Sequence, residues 1–524
     1  MVEWIVNNSL EYIIIQAGGK GTRMGHLCIN KPKALISING QPLIIRIMKQ
    51  YPEATFLIIA DYKKEVLKKY LSVYSSSKYE VIETDEQGTC AGISQAISRI
   101  PAGKPLAIFW CDLFFENEII PPSLKLYANN YIGISKSFPC RWKFEDGQLA
   151  EEKSHTCGVA GVYIFKNKAE LGKIPANGEF CRFLKKMLIE FVPYYLSGVH
   201  EVGTLDAYKS ITKEYPVSRP FNEILIKDNV VIKYPRDKQG ESLAAYEQAW
   251  YGKAKINNWD FIPQIFSANP LKLERIYGET VFNTPVDKET RKTVLTELIE
   301  YLNTIHSSFP IQQGDFYENN YEAIVGKTKG RLDSVASIIP YLEKDYIIVN
   351  GKSCINFYKR WNWVEEKLAE FFSDEYCFIH GDCTFSNTLY DEETKQLYLI
   401  DPRGYFGKVQ YYGDIDYDWA KLYYSLVGNY DKFNAKEFRL YLDNDEVSIA
   451  VDSNGWEDLA SEFYKKTKCN PIKIEAFHAI MWLSLSSYVW DDYDSICGAF
   501  FKGIYYMQHV YEKTVIGEIA DYGC

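Results

Sequence analysis

The run Gln16-Ala17-Gly18-Gly19-Lys20-Gly21-Thr22-Arg23 follows a short apolar stretch, Tyr12-Ile13-Ile14-Ile15. Glycines let a backbone come close to a polyphosphate and aim several N–H groups at it. Ala17, Gly18, Gly19, Gly21 and Thr22 are therefore candidate nucleotide-binding residues. Arg23 offers a planar fork for phosphate oxygens. Ten residues on, Lys33 stands within Lys31-Pro32-Lys33-Ala34-Leu35. A lysine there can neutralise charge on an α-phosphate under attack. Arg23 and Lys33 are thus candidate catalytic residues. The run is not G-x-x-x-x-G-K-[ST], which excludes a Walker P-loop. It also lacks G-x-G-x-x-G at the dinucleotide-binding offsets. An ordinary glycine-rich turn between a strand and a helix is the plainer alternative.

A second constellation reads His380-Gly381-Asp382, then Asn387, then Asp401 behind the apolar run Leu397-Tyr398-Leu399-Ile400. Phosphoryl transfer from ATP needs a carboxylate to accept or orient a hydroxyl proton. It also needs an asparagine and a second aspartate to hold Mg²⁺ on the phosphates. The spacing H-x-D-x-x-x-x-N, followed by a strand-end aspartate, supplies that set. Asp382 is the candidate base, and Asn387 and Asp401 are candidate metal ligands. His380 suits a bracing role better than a chemical one.

These groups need elements to position them. Strand-like runs at 12–15, 56–60, 79–83 and 106–111 alternate with helix-like stretches at 63–71 and 91–100, the pattern of βαβ units in a doubly wound sheet. Residues 131–165 differ, with two strand-like pieces around the turn signal Glu145-Asp146-Gly147. A break rich in proline falls near 209–221. Beyond it, 224–226 and 230–234 read as a hairpin. The chain then turns mainly helical, as at 291–306 and 361–372, with strands near 378 and 397–400 and a helical, aromatic tail at 472–513.

The length of 524 residues suits two or more domains. A formal net charge of −10 argues against broad nucleic-acid binding, yet permits a local basic pocket for phosphates. The twelve cysteines form no C-x-x-C pair. They read as buried free thiols of a reducing compartment rather than a zinc or redox motif. No apolar run approaches about 18 residues, so no spanning helix and no membrane partner are expected. The first ten residues do not read as a signal peptide. The expected location is the cytoplasm.

The pattern G-G-x-G-T-R followed by K-P-K-A-L resembles sugar-phosphate nucleotidylyltransferases and their cytidylyltransferase relatives. Glu86-Gln87-Gly88-Thr89 is similar to that family's base-contacting loop, which implies nucleotide contacts for Gln87 and Gly88. Phe109-Trp110-Cys111-Asp112 puts an aspartate at a strand end, where the resemblance implies a Mg²⁺ ligand. Lys153 stands where a family lysine faces the acceptor phosphate. Gly161-Val162-Tyr163-Ile164-Phe165 resembles a family strand, and Glu201-Val202-Gly203-Thr204 resembles D-x-G-T, whose aspartate is the second metal ligand. Glutamate at 201 carries its carboxylate about 1.5 Å farther out, one C–C bond. Magnesium has tight octahedral demands, so this departure matters. The resemblance spans about 12–212.

The second constellation resembles the choline kinase and aminoglycoside phosphotransferase family. Asp401 is followed by Pro402-Arg403-Gly404, and Tyr417-Asp418-Trp419-Ala420-Lys421-Leu422 is similar to a later helix in which Asp418 would brace. Lys233 resembles the strand lysine that pairs ATP phosphates, with Glu247 its implied partner. Leu273-Glu274-Arg275-Ile276 would be the hinge near adenine. Trp482 and Trp490, close to Tyr488, Tyr493 and Asp491, Asp492 and Asp494, are candidate acceptor-binding residues. Aromatic faces and carboxylates can cage a quaternary ammonium, although helical aromatics also pack as core. This resemblance spans about 220–510.

The fold class implied is α/β. A doubly wound, Rossmann-like nucleotidyltransferase sheet is expected over 1–212, a linker over 213–221, and a bilobal protein-kinase-like α+β domain over 222–524. Its N-lobe would cover about 222–285 and its helical C-lobe 286–524. The implied chemistry uses Mg²⁺, ATP and a second nucleoside triphosphate, with CTP preferred. A small hydroxyl compound (a sugar, a polyol or an amino alcohol such as choline) would be phosphorylated and then coupled to a nucleotide, giving an activated precursor for surface polysaccharide. The alternatives are a kinase carrying a degenerate nucleotide-binding domain and a pair of regulatory scaffolds.

Overall fold

The computed structural model describes residues 10–84, 88–121, 123–214 and 222–521. The chain divides into two compact units, one within Met1–Val217 joined by Asp491–Tyr493, the other within Ser218–Trp490 and Asp494–Cys524. The expected linker residues 215–221 lie outside the described residues.

In the first unit, β1 (Tyr12–Gln16), β2 (Thr55–Ala60), β3 (Lys78–Glu83) and β4 (Leu106–Trp110) are parallel and ordered β4-β1-β2-β3. Ile14 stands in register between Leu57 and Ile108. Ile13, Ile14 and Ile15 are fully buried, which is why this strand reads as a continuous apolar run instead of an alternating one. Each such side chain contributes roughly 1.5–3 kcal/mol on burial. The helices α1 (Leu43–Gln50), α2 (Lys64–Tyr74) and α3 (Thr89–Ser98) fall in the connections.

The sheet is mixed. β5 (Leu113–Phe115) leaves it, while β6 (Asn130–Ser135), β7 (Lys143–Glu145), β8 (Gln148–Ala150) and β9 (Gly158–Phe165) extend it, with β9 antiparallel to β4. The β7–β8 hairpin turns on Asp146 (φ 50°) and Gly147 (φ 72°), two left-handed residues in succession, as a type I′ turn requires. After α4 (Phe180–Met187), β10 (Phe191–Tyr195) pairs with β6, and β11 (Val199–Glu201) pairs with β5, before α5 (Leu205–Glu214).

The second unit opens with an antiparallel sheet ordered β12 (Asn222–Lys227), β13 (Val230–Pro235), β15 (Leu271–Glu274), β14 (Ile265–Ser267). Between β13 and β14 runs α6 (Lys238–Ala254), whose first turn is capped by Asp237 accepting the N–H of Gly240 at 2.7 Å. α7 (Lys288–Ser307) is capped in the same way by Asp287. A π-helical turn, Tyr321–Gly326, leads into α8 (Lys327–Val335). β16 (Tyr346–Val349), β17 (Lys352–Ile355), and the later β21 (Phe438–Asp443) and β22 (Glu446–Val451) form a four-stranded sheet. The sequence pattern did not predict that sheet.

α9 (Trp361–Ala369), β18 (Glu375–Phe378), the hairpin β19 (Thr388–Asp391) and β20 (Gln396–Leu399), and α10 (Ile415–Leu426) follow. The expected helical tail is two helices, α11 (Pro471–Leu485) and α12 (Tyr493–Asp521). Asn470 caps α11, with Pro471 in the first turn, where a missing N–H costs nothing. Among the described residues no helix is long and apolar enough to cross a membrane. Of the eleven cysteines of the described residues, nine are buried, and Cys157 and Cys469 are half-buried.

Candidate active sites

In the first unit, the register pairs Gln16 at the end of β1 with Trp110 at the end of β4. The loops leaving the two strands therefore emerge side by side at the carboxyl edge of the parallel strands, the usual place for a ligand in such sheets. One loop is Ala17–Arg23 and the other holds Asp112. Gly19, Thr22 and Arg23 are exposed, while Ala17 is buried and Gly18 half-buried. Among the described residues no acceptor takes the N–H groups of Gly18, Gly19 or Gly21. Gly21 sits at φ 63°, and a Cβ there would meet Cys28 Sγ at 2.7 Å and Lys33 Cβ at 3.4 Å. Only glycine lets the loop turn this tightly over the lysine segment.

Lys33 is buried and its Nζ lies 2.6 Å from Asp112 Oδ2. β11 runs antiparallel to β5 and sets Glu201 opposite Leu113, the residue after Asp112; the N–H of Val202 donates to the Asp112 carbonyl at 2.8 Å. Glu201 reaches Arg23, 3.9 Å away. Burial raises the Glu201 carboxyl above its usual range, and the nearby Asp112 adds to the rise while Lys33 and Arg23 oppose it. Two carboxylates so placed suit a hard divalent cation bound through oxygen.

Five predicted residues thus converge: Gly21, Arg23, Lys33, Asp112 and Glu201. Gly88 precedes α3 at φ 91°, where a Cβ would meet Gly178 O at 2.4 Å. Gln87 lies outside the described residues. Lys153 is exposed on the loop after β8 and makes no ion pair among the described residues.

In the second unit, Lys233 on β13 is buried and meets Glu247 on α6 at 2.5 Å as well as Asp401. Burial works against the ammonium, but the two carboxylates outweigh it and hold the Lys233 pKa above the usual lysine value. Asp401 adopts φ 57°, a left-handed conformation that an aspartate holds only at some cost in strain.

The loop at 380–387 is braced from below. Asp418 on α10 accepts the N–H of His380 at 2.9 Å and of Gly381 at 2.7 Å, and lies 3.0 Å from His306 Nε2. Burial pushes the His380 imidazole pKa down, and its Nδ1 accepts the Asp382 N–H at 3.3 Å. Asn387 donates its amide to the Asp382 carboxylate at 3.0 Å, which leaves the amide oxygen as the acceptor a hard cation takes. Asp418→Ala is expected to destabilise this unit, by roughly 1–3 kcal/mol for each buried donor left unpaired. Urea unfolding of the full chain measures the loss.

Asp382 opens onto a cavity of about 320 Å3, within the range of small-ligand sites. Its carboxylate lies 2.9 Å from Lys421 Nζ. Burial alone would raise Asp382, but Lys421 and Arg403 hold it below the usual carboxylate range.

The expected acceptor residues require correction. Trp482 is fully buried, donates its indole N–H to His478 at 2.9 Å, and packs edge-on against Tyr424 and Phe433. It faces the core because every turn of α11 does: both sides of that helix are apolar. Trp490, half-buried, does not line the cavity either, nor do Asp491, Asp492 and Asp494. Of that aromatic group only Tyr488 does. The lining instead includes Lys327, Arg331, Arg403 and Lys421, which the sequence reading assigned no role. Arg403 and Lys421 sit inside the two motifs already singled out, so their place beside Asp382 was accessible there; Lys327 and Arg331 carry no local signal.

Curated relatives include the glucose-1-phosphate cytidylyltransferase of Salmonella typhimurium, 41% identical over 64 residues, 12% of this chain and 25% of that protein. The probable glucose-1-phosphate cytidylyltransferase of Bacillus subtilis is 39% identical over the same shares. The chain thus spans about a quarter of the length of the curated relatives it matches. Among solved structures it is similar to HddC from Yersinia pseudotuberculosis (21% identity, 39% of this chain and 100% of that chain, TM-score 0.33). It is also similar to the CTP:phosphocholine cytidylyltransferase of Streptococcus pneumoniae (16% identity, 39% and 99%, TM-score 0.32). Residues 13–131, which hold the glycine loop, Lys33 and Asp112, match the MobA-like NTP transferase domain.

Proposed function

We propose that the chain is a bifunctional enzyme whose first unit transfers a nucleotidyl group and whose second unit phosphorylates a small hydroxyl compound with ATP. The observation that carries the first half is the convergence of Lys33, Asp112, Glu201 and Arg23 beside the glycine loop. In that reaction an acceptor phosphate oxygen attacks the α-phosphorus of a nucleoside triphosphate. A P–O bond forms, the α–β bridging bond breaks, and pyrophosphate leaves. The glycine loop binds the phosphates. Arg23 and Lys33 meet the charge that grows on the α-phosphate oxygens. Asp112 and Glu201 would hold Mg²⁺, which screens phosphate charge. Lys153 is assigned to the acceptor phosphate. CTP is the assigned nucleotide, because the matching curated relatives are named as cytidylyltransferases.

The second half rests on Asp382, Asn387, Asp401, Lys233 and Glu247. The acceptor hydroxyl gives its proton to Asp382 as its oxygen bonds to the γ-phosphorus. The β–γ bridging bond breaks and ADP leaves. Lys233, held by Glu247, orients the ATP phosphates. Asn387 and Asp401 would hold Mg²⁺. The product of this step, a phosphate monoester, has the chemistry that the first unit's acceptor requires, so the two reactions follow one another. An activated precursor for surface polysaccharide is the output we assign.

The rival reading, a kinase with an inert first unit, is motivated by glutamate at 201. One panel separates them. The full chain is incubated with ATP, CTP or UTP and Mg²⁺ against sugars, polyols and amino alcohols, with ADP and pyrophosphate followed separately. Both products are expected to rise with one compound. ADP alone, with no pyrophosphate from any preformed phosphate, would establish the rival.

A further inference from the structure

The cavity beside Asp382 has a charge balance that choice of acceptor must satisfy. Four cationic residues, Lys327, Arg331, Arg403 and Lys421, line it against a single carboxylate, Asp382, and Lys421 already pairs that carboxylate at 2.9 Å. Lys327 is half-buried and forms no ion pair among the described residues. It enters the cavity from the start of α8, just after the π-helical turn. Such turns are frequent at functional sites.

Arg331, one helical turn on, is held in place: its Nη1 donates to Ser484 Oγ at 2.9 Å and its guanidinium lies over the Tyr488 ring at 5.6 Å. Arg403 donates to Tyr417 Oη at 2.7 Å and lies 4.5 Å from the Tyr405 ring centre. Four of the five tyrosines that line the cavity, Tyr405, Tyr417, Tyr424 and Tyr488, therefore already face one of the protein's own cations, and Tyr430 stacks on Tyr424. A cationic acceptor would meet repulsion and covered rings.

We infer that the acceptor of the second unit is itself an anion, a hydroxyl compound bearing a carboxylate or a phosphate, with its hydroxyl at Asp382 and its anionic group between Lys327 and Arg331. The inference rests on the kinase reading of this unit and names its substrate class. Electrostatics agree with the geometry. Burial pushes Lys327 well below the usual lysine range, Arg403, Arg331 and Lys421 push it the same way, and Asp382 offsets them only in part. A bound anion supplies the missing countercharge. Guanidinium groups fixed by a second partner are suited to carboxylate or phosphate, which they grip with two N–H groups. The same cations could instead serve the γ-phosphate of ATP, and the test separates the two sources.

Matched probes are offered to the full chain with ATP and Mg²⁺: glycerate against glycerol, gluconate and glucose 6-phosphate against glucose, and choline. The expected result is ADP release with an anionic member at least about tenfold above its neutral parent, a preference of about 1.4 kcal/mol. Arg331→Met should then raise the KM for that anion about tenfold and leave the KM for ATP within about twofold. Preference for choline or the neutral parents overturns the inference and leaves the kinase reading standing. A rise in the ATP KM alone also overturns it, by assigning the cations to the nucleotide.

Should no probe draw ADP, calorimetric titration of the same probes decides. Binding of an anion that Arg331→Met abolishes supports the substrate class while the kinase reading fails. Binding of choline or the neutrals, or of none, overturns the substrate class.

Discussion

Asp382→Asn is expected to lower ADP release by roughly 10²–10⁴-fold, the range a positioned general base contributes. The substituted amide matches the carboxylate in size, and it can still accept from Asn387. It cannot take the hydroxyl proton. Lys233, Glu247 and Asp401, the groups assigned to the nucleotide, form their own ion-paired set and stay as they are. ATP affinity should therefore persist while turnover collapses. Lys421 loses its partner at 2.9 Å, so some stability goes with it. A thermal melt run beside the assay keeps that loss apart from the loss of chemistry. Turnover equal to that of the parent would remove Asp382 from its assigned role.

Lys33→Met carries the second large effect. The side chain is nearly as long and keeps the packing of a buried position. What disappears is the cation that pairs Asp112 at 2.6 Å. Removing a preorganised charge from the site where negative charge grows costs about 10²–10³-fold in turnover. Pyrophosphate release should fall by that factor, and ADP release in the same preparation serves as the internal control. Equal loss of both products would mean general unfolding, and unchanged pyrophosphate release would remove Lys33 from the reaction.

The parallel core of the first unit was legible because its signal is local. Ile13, Ile14 and Ile15 are apolar on both faces, and the glycines after them mark where the strand must end. The β7–β8 turn was legible for the same reason, since Asp146-Gly147 is what two left-handed residues require. Asp112 and Glu201 are a harder case. They meet only because β11 crosses to pair with β5, a contact between segments almost 90 residues apart that no periodicity encodes. The sheet of β16, β17, β21 and β22 escaped for a related reason: its two hairpins are separated by some 80 residues and alternate buried with exposed positions over only a few residues each.

In the second unit, the loop residues were readable from spacing, whereas the cavity was not. Trp482 and Trp490 drew notice as aromatics near aspartates, but Trp482 lies in a helix apolar on all sides, where such rings fill the core, and Trp490 falls between that helix and the next, away from the cavity. The residues that give the cavity its character are ordinary lysines and arginines from α8, α10 and the loop after β20. Arg403 and Lys421 lie within motifs near Asp382, but their types are commonest on surfaces, and nothing local marks Lys327 and Arg331 as their companions.

The buried thiols give the molecule a built-in clock. Burial pushes Cys111, Cys140 and Cys181 up to about 12, so in the folded chain they are neither reachable nor nucleophilic. The first unit holds six of the described cysteines, from Cys28 to Cys181, and the second holds five, from Cys354 to Cys497. Among the described cysteines, alkylation in native buffer should begin at the half-buried Cys157 and Cys469 and reach the others only as each unit opens. Peptide-resolved labelling therefore times the opening of the two units separately, in one sample. Cys383, in the loop at 380–387, has a thiol that donates to the Asp418 carbonyl at 3.1 Å and reports on that loop alone.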